Sequence, residues 1–133
     1  MYVLFDQPFA MLCDAPAEYR KYPDIMKFLS AIPTTFDDTK VLRAKRSEYA
    51  IMAKRKGAEW FVGGMTNWVG RDQLIDFSFL PTGKVYMTDV YLDGKDANTD
   101  ATQFEHSTMK VDNKTKLNIR MANGGGFIIY VHQ

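Results

Sequence analysis

The eight residues from Ile32 to Thr39 divide this chain into two parts with different periodicities. Before this junction, apolar residues recur at the three- and four-residue spacing of amphipathic helices, and after it they alternate as in β-strands. The part before the junction is too short to bury a core of its own. The junction therefore predicts that residues 1–32 belong with a larger structure encoded upstream of them.

The amino-terminal part has the pattern of one strand followed by helices. Residues 1–5 are apolar, aromatic and β-branched, which is typical of a buried strand. Helices are predicted over residues 8–12, 16–21 and 23–32, and Pro33 ends the last of them. This last helix carries one apolar stripe, made of Ile25, Met26, Phe28, Leu29 and Ile32. The pattern favours one βα unit of a larger α/β structure, and the alternative is that residues 1–32 pack on the part that follows.

The carboxyl-terminal part is predicted to be mainly β. Alternation and turn residues such as Pro81, Gly83 and Gly94 separate about eight short segments. The predicted strands cover residues 39–45, 49–56, 59–67, 73–79, 84–92, 104–111, 116–121 and 126–131. Many short strands at this spacing favour an antiparallel, Greek-key-like β-sandwich preceded by a short helical segment.

Composition excludes several classes of function. The chain has 133 residues and a formal charge of +1, which gives no electrostatic field for nucleic acid or an anionic membrane. No apolar run approaches the roughly 20 residues that span a bilayer. The single cysteine, Cys13, excludes an intrachain disulfide, and its apolar neighbours indicate a buried structural thiol.

The polar clusters predict no catalytic, cofactor-binding or metal site. His106 and His132 stand at no recognisable spacing from a nucleophile. Asp96, Asn98 and Asp100 match the start of a calcium loop, but that loop fails because Ala101 and Ser107 stand where it needs Gly and Glu. The three glycines at 124–126 precede a strand and not a helix, which favours a close backbone approach over a phosphate loop.

Two further groups of residues have both a functional and a structural interpretation. The aromatic residues of the strands are interpreted as core, although they could also form a platform for sugars, and they include Trp60, Trp68, Tyr86 and Tyr91. Trp68 is the best candidate for exposure because it adjoins the turn at 69–72. The adjacent Asp37 and Asp38 point to opposite sides of an extended chain, so they are interpreted as capping or interdomain contacts rather than as an acid–base pair.

Six segments of the chain together form a recognisable pattern. In order, they are Gln7–Asp14, the junction Ile32–Thr39, Ala53–Gly63, Leu80, Asp93-Gly94 and Gly124–Phe127. They resemble the carboxyl-terminal end of the bacterial α-glucosidases and α-galactosidases of glycoside hydrolase family 97. The resemblance covers almost the whole chain, with Phe36 standing where the family usually has Trp.

The resemblance implies a domain organisation. Residues 1–32 would be the strand and helical remnant of the end of a (β/α)8 catalytic barrel, and residues 33–133 the carboxyl-terminal β-sandwich domain. The family's catalytic carboxylates and calcium ligands lie in segments with no counterpart here, so no catalytic or metal residue is transferred to this chain. The parent enzyme would be exported, as in the periplasm of a Gram-negative bacterium.

The resemblance therefore implies a non-catalytic domain that braces the catalytic barrel of the same polypeptide. Its exposed helical segment could also mediate self-association. The alternative function is a carbohydrate-binding module that contacts sugars through exposed aromatic residues such as Trp68. Whether the parent enzyme cleaves glucosides or galactosides, and whether it retains or inverts configuration, depends on residues outside this chain.

Overall fold

A computed structural model describes residues 1–6 and 15–133 of the chain. Two short helices precede eight strands in this part. The helices are α1 (Pro16–Tyr19) and α2 (Pro23–Ala31). The strands are β1 (Asp38–Lys45), β2 (Tyr49–Lys56), β3 (Glu59–Thr66), β4 (Arg71–Asp76), β5 (Tyr86–Asp93), β6 (Phe104–Val111), β7 (Lys116–Met121) and β8 (Gly126–His132). The predicted mainly antiparallel β fold, preceded by a short helical segment, is confirmed.

The strands form two sheets of very different size. The larger has the order β1-β2-β3-β8-β5-β6, and the smaller is a two-stranded ribbon of β4 and β7. All strand pairs are antiparallel. The last strand, β8, lies between β3 and β5 at the centre of the larger sheet. The sandwich is therefore uneven, with six strands in one layer and two in the other.

The main core lies between the larger sheet and the ribbon. Residues that alternate along β8, namely Phe127, Ile129 and Val131, point into this core. The ribbon contributes Ile75 and Ile119, which are almost fully buried. We call the face of the larger sheet that meets the ribbon the inner face, and the opposite one the outer face.

The glycines before β8 permit close backbone approach, as their sequence context predicts. Gly124 has φ +71°, in the left-handed region that favours glycine. A Cβ atom on Gly125 would lie 2.0 Å from Oδ2 of Asp93, and one on Gly126 would lie 2.3 Å from the carbonyl oxygen of Gly64. Asp93 Oδ2 accepts hydrogen bonds from the backbone N–H groups of Ala122 and Gly126 at 2.8 and 2.9 Å. The acidic side chain thus holds the glycine loop against the end of β5.

One predicted element of the amino-terminal part is wrong. Residues 1–5 form a turn and not a strand, since the N–H groups of Leu4 and Phe5 both donate to the carbonyl of Met1 at 3.0 Å. Val3 and Leu4 are buried on the outer face, so their apolar character serves packing rather than strand pairing. The helix predicted over residues 8–12 and the buried thiol of Cys13 lie outside the described residues.

Candidate interface on the helical side of the sheet

Helix α2 lies on the outer face of the larger sheet. Its Phe28 is buried, and the ring centroid of Phe28 is 5.4 Å from that of Tyr91 and 6.3 Å from that of Tyr130. The Tyr91 hydroxyl donates a hydrogen bond of 3.3 Å to the carbonyl of Asp24 in the first turn of α2. This arrangement fits the alternative in which residues 1–32 pack on the β-rich part. The domain boundary after residue 32 stays a prediction.

An apolar groove remains open beside α2. It encloses about 360 Å³ between the helix, the outer face of the sheet and the loop before β6. The side chains that form it include Tyr22, Ile25, Leu29, Tyr91, Phe104 and Ile128. Tyr22 and Phe104 meet edge to face across it, with 6.5 Å between ring centroids, and both keep a large exposed fraction. Phe28, Leu29 and Ile32 of the stripe thus pack against the apolar cluster on the outer face, while Ile25 and Leu29 also line the open groove.

The start of the chain is tied to the same face by a buried lysine. Lys54 on β2 is fully buried, and its Nζ lies 2.5 Å from Oδ1 of Asp6. The ring of Phe36 lies over this ammonium group, 5.2 Å away at its centroid. A buried charge requires such partners, because desolvation is otherwise costly. The contact fixes residues 1–6 next to the junction.

The two histidines meet at one carboxylate on the outer face. Asp89 Oδ1 lies 3.1 Å from Nε2 of His106, and Oδ2 lies 3.0 Å from Nε2 of His132. The Thr108 hydroxyl donates to Oδ1 at 3.0 Å. The His106 ring stacks on Tyr91 with 4.3 Å between centroids. This cluster joins β5, β6 and β8. Through Tyr91 it lies next to the part of the outer face on which α2 packs.

The carboxyl group of Asp89 is held as a carboxylate by this cluster. Burial by itself would raise its pKa, but the hydrogen bonds from His106, His132 and Thr108 outweigh that effect and keep the pKa below its usual value. On the same face, burial raises the pKa of Tyr130, and its hydrogen bond of 2.6 Å to Glu59 adds to the increase. Neither group is therefore arranged as an acid or base that works near neutral pH.

The lowered pKa of Asp89 predicts a pH dependence of stability. Its contribution to the free energy of unfolding is fully present above the unfolded pKa of about 4 and is lost as the pH falls through the lower folded pKa. We expect Asp89→Asn to lower stability at neutral pH and to flatten its acid-side decline, measured by urea unfolding at successive pH values. Asp72→Asn is the matched control, because Asp72 is exposed and makes no ion pair among the described residues. Equal acid-side slopes for wild type and Asp89→Asn would contradict the prediction.

In the loop that matches the start of a calcium site, side-chain oxygens accept hydrogen bonds from other groups of the protein. Asp100 Oδ1 accepts hydrogen bonds from the N–H and the hydroxyl of Thr102, and Asn98 Oδ1 accepts one from the N–H of Asn123. Within residues 1–6 and 15–133, no group of three or more His, Cys, Asp or Glu side chains is arranged to hold a metal ion. The calcium implied by the resemblance therefore finds no fitting donor set in the described part of the chain.

The other singled-out residues separate into core and surface. Trp60 and Tyr86 lie in the inner core, whereas the Trp68 side chain is 86% exposed, which confirms Trp68 as the best candidate for exposure. Asp37 Oδ2 accepts a hydrogen bond of 2.8 Å from the N–H of Gly57, and its Oδ1 pairs with Lys56. Asp37 is thus a cap of the β2–β3 hairpin.

Across the described segments, no helix has the length and apolar character needed to cross a bilayer.

The His106–Asp89–His132 cluster was missed by sequence reasoning. Its members are 17 and 43 positions apart from Asp89 and belong to no local motif. They meet because β5 lies between β8 and β6. Tyr130 is opposite Asp89 on β8, with His132 two positions further along, and Thr108 is opposite Asp89 on β6, with His106 two positions away. Only the strand order, which alternation does not reveal, would have shown the cluster.

A family model described as "Glycosyl-hydrolase 97 C-terminal, oligomerisation" matches residues 35–132. The chain belongs to this family. It is the carboxyl-terminal, non-catalytic region of glycoside hydrolase family 97 enzymes, as the resemblance implied.

Known relatives of this family 97 domain are much longer proteins. A retaining alpha-galactosidase of Bacteroides thetaiotaomicron is 38% identical over 131 residues, which cover 98% of this chain and 20% of that protein. A probable retaining alpha-galactosidase of Streptomyces bingchenggensis is 28% identical over 94 residues, which cover 71% of this chain and 14% of that protein. The chain thus spans a fifth or less of the curated relatives that it matches.

The fold of this family 97 domain is also found in solved structures. A family 97 enzyme from Pseudoalteromonas sp. strain K8, in complex with acarbose, superposes with a TM-score of 0.94 and 26% identity. The match covers 98% of this chain and 21% of that one. The described helices and both sheets are therefore a recurring unit within larger enzymes.

Proposed function

We propose that this chain is the carboxyl-terminal domain of a bacterial retaining α-galactosidase, and that its helical side docks on the catalytic part of the same polypeptide. The observation that carries the docking is the apolar groove, in which Ile25 and Leu29 face open space. Contiguous apolar surface that is exposed to solvent marks sites of contact with other proteins or with ligands. Most of each matched relative lies outside the region that corresponds to this chain, so its preceding domain is the natural occupant.

The proposed substrate class is supported by the names of the relatives and not by residues of this chain. Both curated relatives are named as retaining or probable retaining alpha-galactosidases. We therefore propose that the catalytic carboxylates, and the calcium ion that the resemblance implies, belong to a part of the enzyme that corresponds to the region of the relatives not covered by this chain. The first 32 residues would then connect the catalytic barrel to the sandwich. We expect the isolated chain to hydrolyse no nitrophenyl α-galactoside.

The groove is tested by placing a charge in it. In the full polypeptide that carries this chain, Ile25→Glu is expected to separate one calorimetric melting transition into two, because a carboxylate cannot be buried at an apolar contact without a partner. In the isolated chain the same substitution should change the melting temperature little, since Ile25 is only half-buried.

Leu74→Glu is the control for this experiment. Leu74 is a comparably apolar residue, 42% exposed, on the ribbon at the opposite side of the sandwich. Its substitution should leave the single transition intact. If Ile25→Glu behaves like Leu74→Glu in the full polypeptide, docking through the groove is excluded.

Self-association is the second candidate function, because the matching family is described as an oligomerisation domain. The groove adjoins β6, which is an edge strand of the larger sheet. All eight residues of β6 pair with β5 without a bulge, and the other edge of β6 has no partner strand among the described residues. The other edge, β1, has a register shift between Val41 and Arg43, which makes it a poorer template for pairing. Sedimentation of the isolated chain over a range of concentrations tests this candidate. A dimer that Ile25→Glu dissociates would assign the groove to a second copy instead of the catalytic part.

A further inference from the structure

The exposed Trp68 lies in the turn between β3 and β4. Thr66 Oγ1 donates to the carbonyl of Val69 at 2.9 Å, and the N–H of Val69 donates to Asn67 Oδ1 at 3.1 Å. The Asn67 side chain also donates to the carbonyl of Ser47, and its own carbonyl accepts from the N–H of Gly124 at 2.8 Å. The turn is therefore fixed at both ends. Binding of a ligand at Trp68 would therefore lose little affinity to ordering of the backbone.

Gly124 supports one side of the indole. A Cβ atom on Gly124 would lie 3.2 Å from Cε3 and Cζ3 of Trp68, so the ring rests against the glycine backbone. The side chain nevertheless remains 86% exposed, the largest fraction among the exposed large apolar side chains of the described residues. One large flat apolar surface is thus presented to solvent in a defined orientation.

A polar cavity of about 350 Å³ begins at the residue next to Trp68. Its polar lining residues are Arg71, Asp72, Asn98, Arg120 and Asn123, and the others are Val69, Gly70, Met121 and Ala122. The side-chain oxygens of Asn98 and Asn123 accept backbone hydrogen bonds from Asn123 and Gly70. Their amide N–H₂ groups have no partner among the described residues and remain available as donors.

The cavity also offers one unpaired charge of each sign. Asp72 and Arg120 are opposite each other in the β4–β7 pair, and neither makes an ion pair within residues 1–6 and 15–133. Their charges balance, which favours a neutral ligand over an ionic one. Such a ligand must both donate to a carboxylate and accept from amide and guanidinium groups, as hydroxyl groups do.

We propose that Trp68 and this cavity form a binding site for a neutral saccharide. An apolar C–H face of a sugar ring would lie on the indole, and its hydroxyl groups would reach Asn98, Asp72 and Arg120. The combination of one aromatic surface with a few convergent polar groups is typical of small-molecule sites. The choice of a saccharide among neutral polyhydroxy compounds rests on the proposed function, since a domain joined to a glycosidase meets sugars at high local concentration.

A protein contact explains the site less well. Tryptophan residues that dominate protein interfaces lie in apolar, desolvated surroundings. Val69 is the exposed large apolar residue in the lining of the cavity, whereas the lining residues Met121 and Ala122 are buried. Apart from Gly70, the remaining lining residues carry charged or amide side chains. The surroundings are thus suited to a hydroxyl-rich ligand.

Isothermal titration of the chain with melibiose and with maltotriose tests the proposal. We expect saturable heat with at least one of the two sugars at millimolar concentrations. Trp68→Ala should weaken binding about tenfold or more, since stacking on one aromatic ring contributes that much in other ligands. Arg120→Ala should weaken it by a smaller factor. Phe104→Ala is the matched control, because it removes an exposed aromatic ring on the groove side.

Tryptophan fluorescence gives a second readout. The chain has two tryptophans, and Trp60 is buried, so quenching by acrylamide reports mainly on Trp68. Bound sugar should protect this emission. The proposal is overturned if neither sugar produces heat or protection, if Trp68→Ala binds as wild type does, or if Trp68→Ala alters sedimentation in the absence of any sugar effect. The melting experiment on the groove is independent of all these outcomes, so failure here leaves the docking proposal intact.

Discussion

Gly126→Ala is expected to destabilise the protein by about 3 kcal/mol or more, and to lower its melting temperature by about 10 °C. The added Cβ would lie 2.3 Å from the carbonyl oxygen of Gly64. That oxygen is backbone, and Gly64 is in β3, next to β8 in the centre of the larger sheet. Relief of the overlap requires the two strands to separate, which weakens the hydrogen bond from Gly126 to Asp93 as well. Thermal and urea unfolding monitored by circular dichroism measure the effect.

Gly83→Ala is the matched control for this prediction. Gly83 has φ +78°, but a Cβ there meets no atom within 4 Å. Only the backbone strain of a left-handed alanine remains, about 1 kcal/mol. If the two substitutions cost the same, the close approach of β3 and β8 does not determine the requirement for glycine at position 126.

Phe61→Ala is expected to cost about 3–5 kcal/mol and to loosen α2 from the sheet. Phe61 is fully buried on the outer face, where its ring stacks on Tyr130 at 4.9 Å and meets Phe36 edge to face at 5.8 Å. It also belongs to the cluster that buries Val3 and Phe28. Its removal leaves a cavity beneath the amino-terminal segment. Urea unfolding gives the loss of stability, and proteolysis in the segment 15–32 reports on the release of the helix.

Phe104→Ala again serves as the control. This ring lies at the rim of the groove and is 39% exposed, so its removal should cost less than about 1 kcal/mol. A Phe61→Ala variant that loses stability but keeps residues 15–32 protected from protease would show that α2 is held by contacts other than the Phe61 cluster.

The positions of the strands could be predicted because each carries its own signal. Alternation is local, so the predicted strands at 49–56, 104–111 and 116–121 agree with β2, β6 and β7 at both ends. The β4 strand begins and ends two to three residues earlier than predicted, since Phe77 and Phe79 continue the alternation into a turn where Ser78 bonds to Asp76. The run at 1–5 fails for a related reason, because apolar and β-branched character indicates burial without saying how the backbone is paired.

The division into six and two strands could not be predicted from the same signals. It depends on which strand lies beside β8, and that choice is made by packing between residues far apart in sequence. The candidate surfaces show the same contrast. The exposure of Trp68 follows from an adjacent turn, whereas the groove exists only because Phe28 and Tyr91, separated by 63 positions (91 minus 28), meet on the outer face.

The central position of β8 has a consequence for synthesis. The β1–β2–β3 meander and the β5–β6 hairpin share no direct strand pair, and β8 is the strand that joins them. During translation both pieces emerge before it, each with an unpaired edge where β8 will insert. The larger sheet can close only when residues 126–132 have left the ribosome, and until then the free edges of β3 and β5 are open to pairing with other chains.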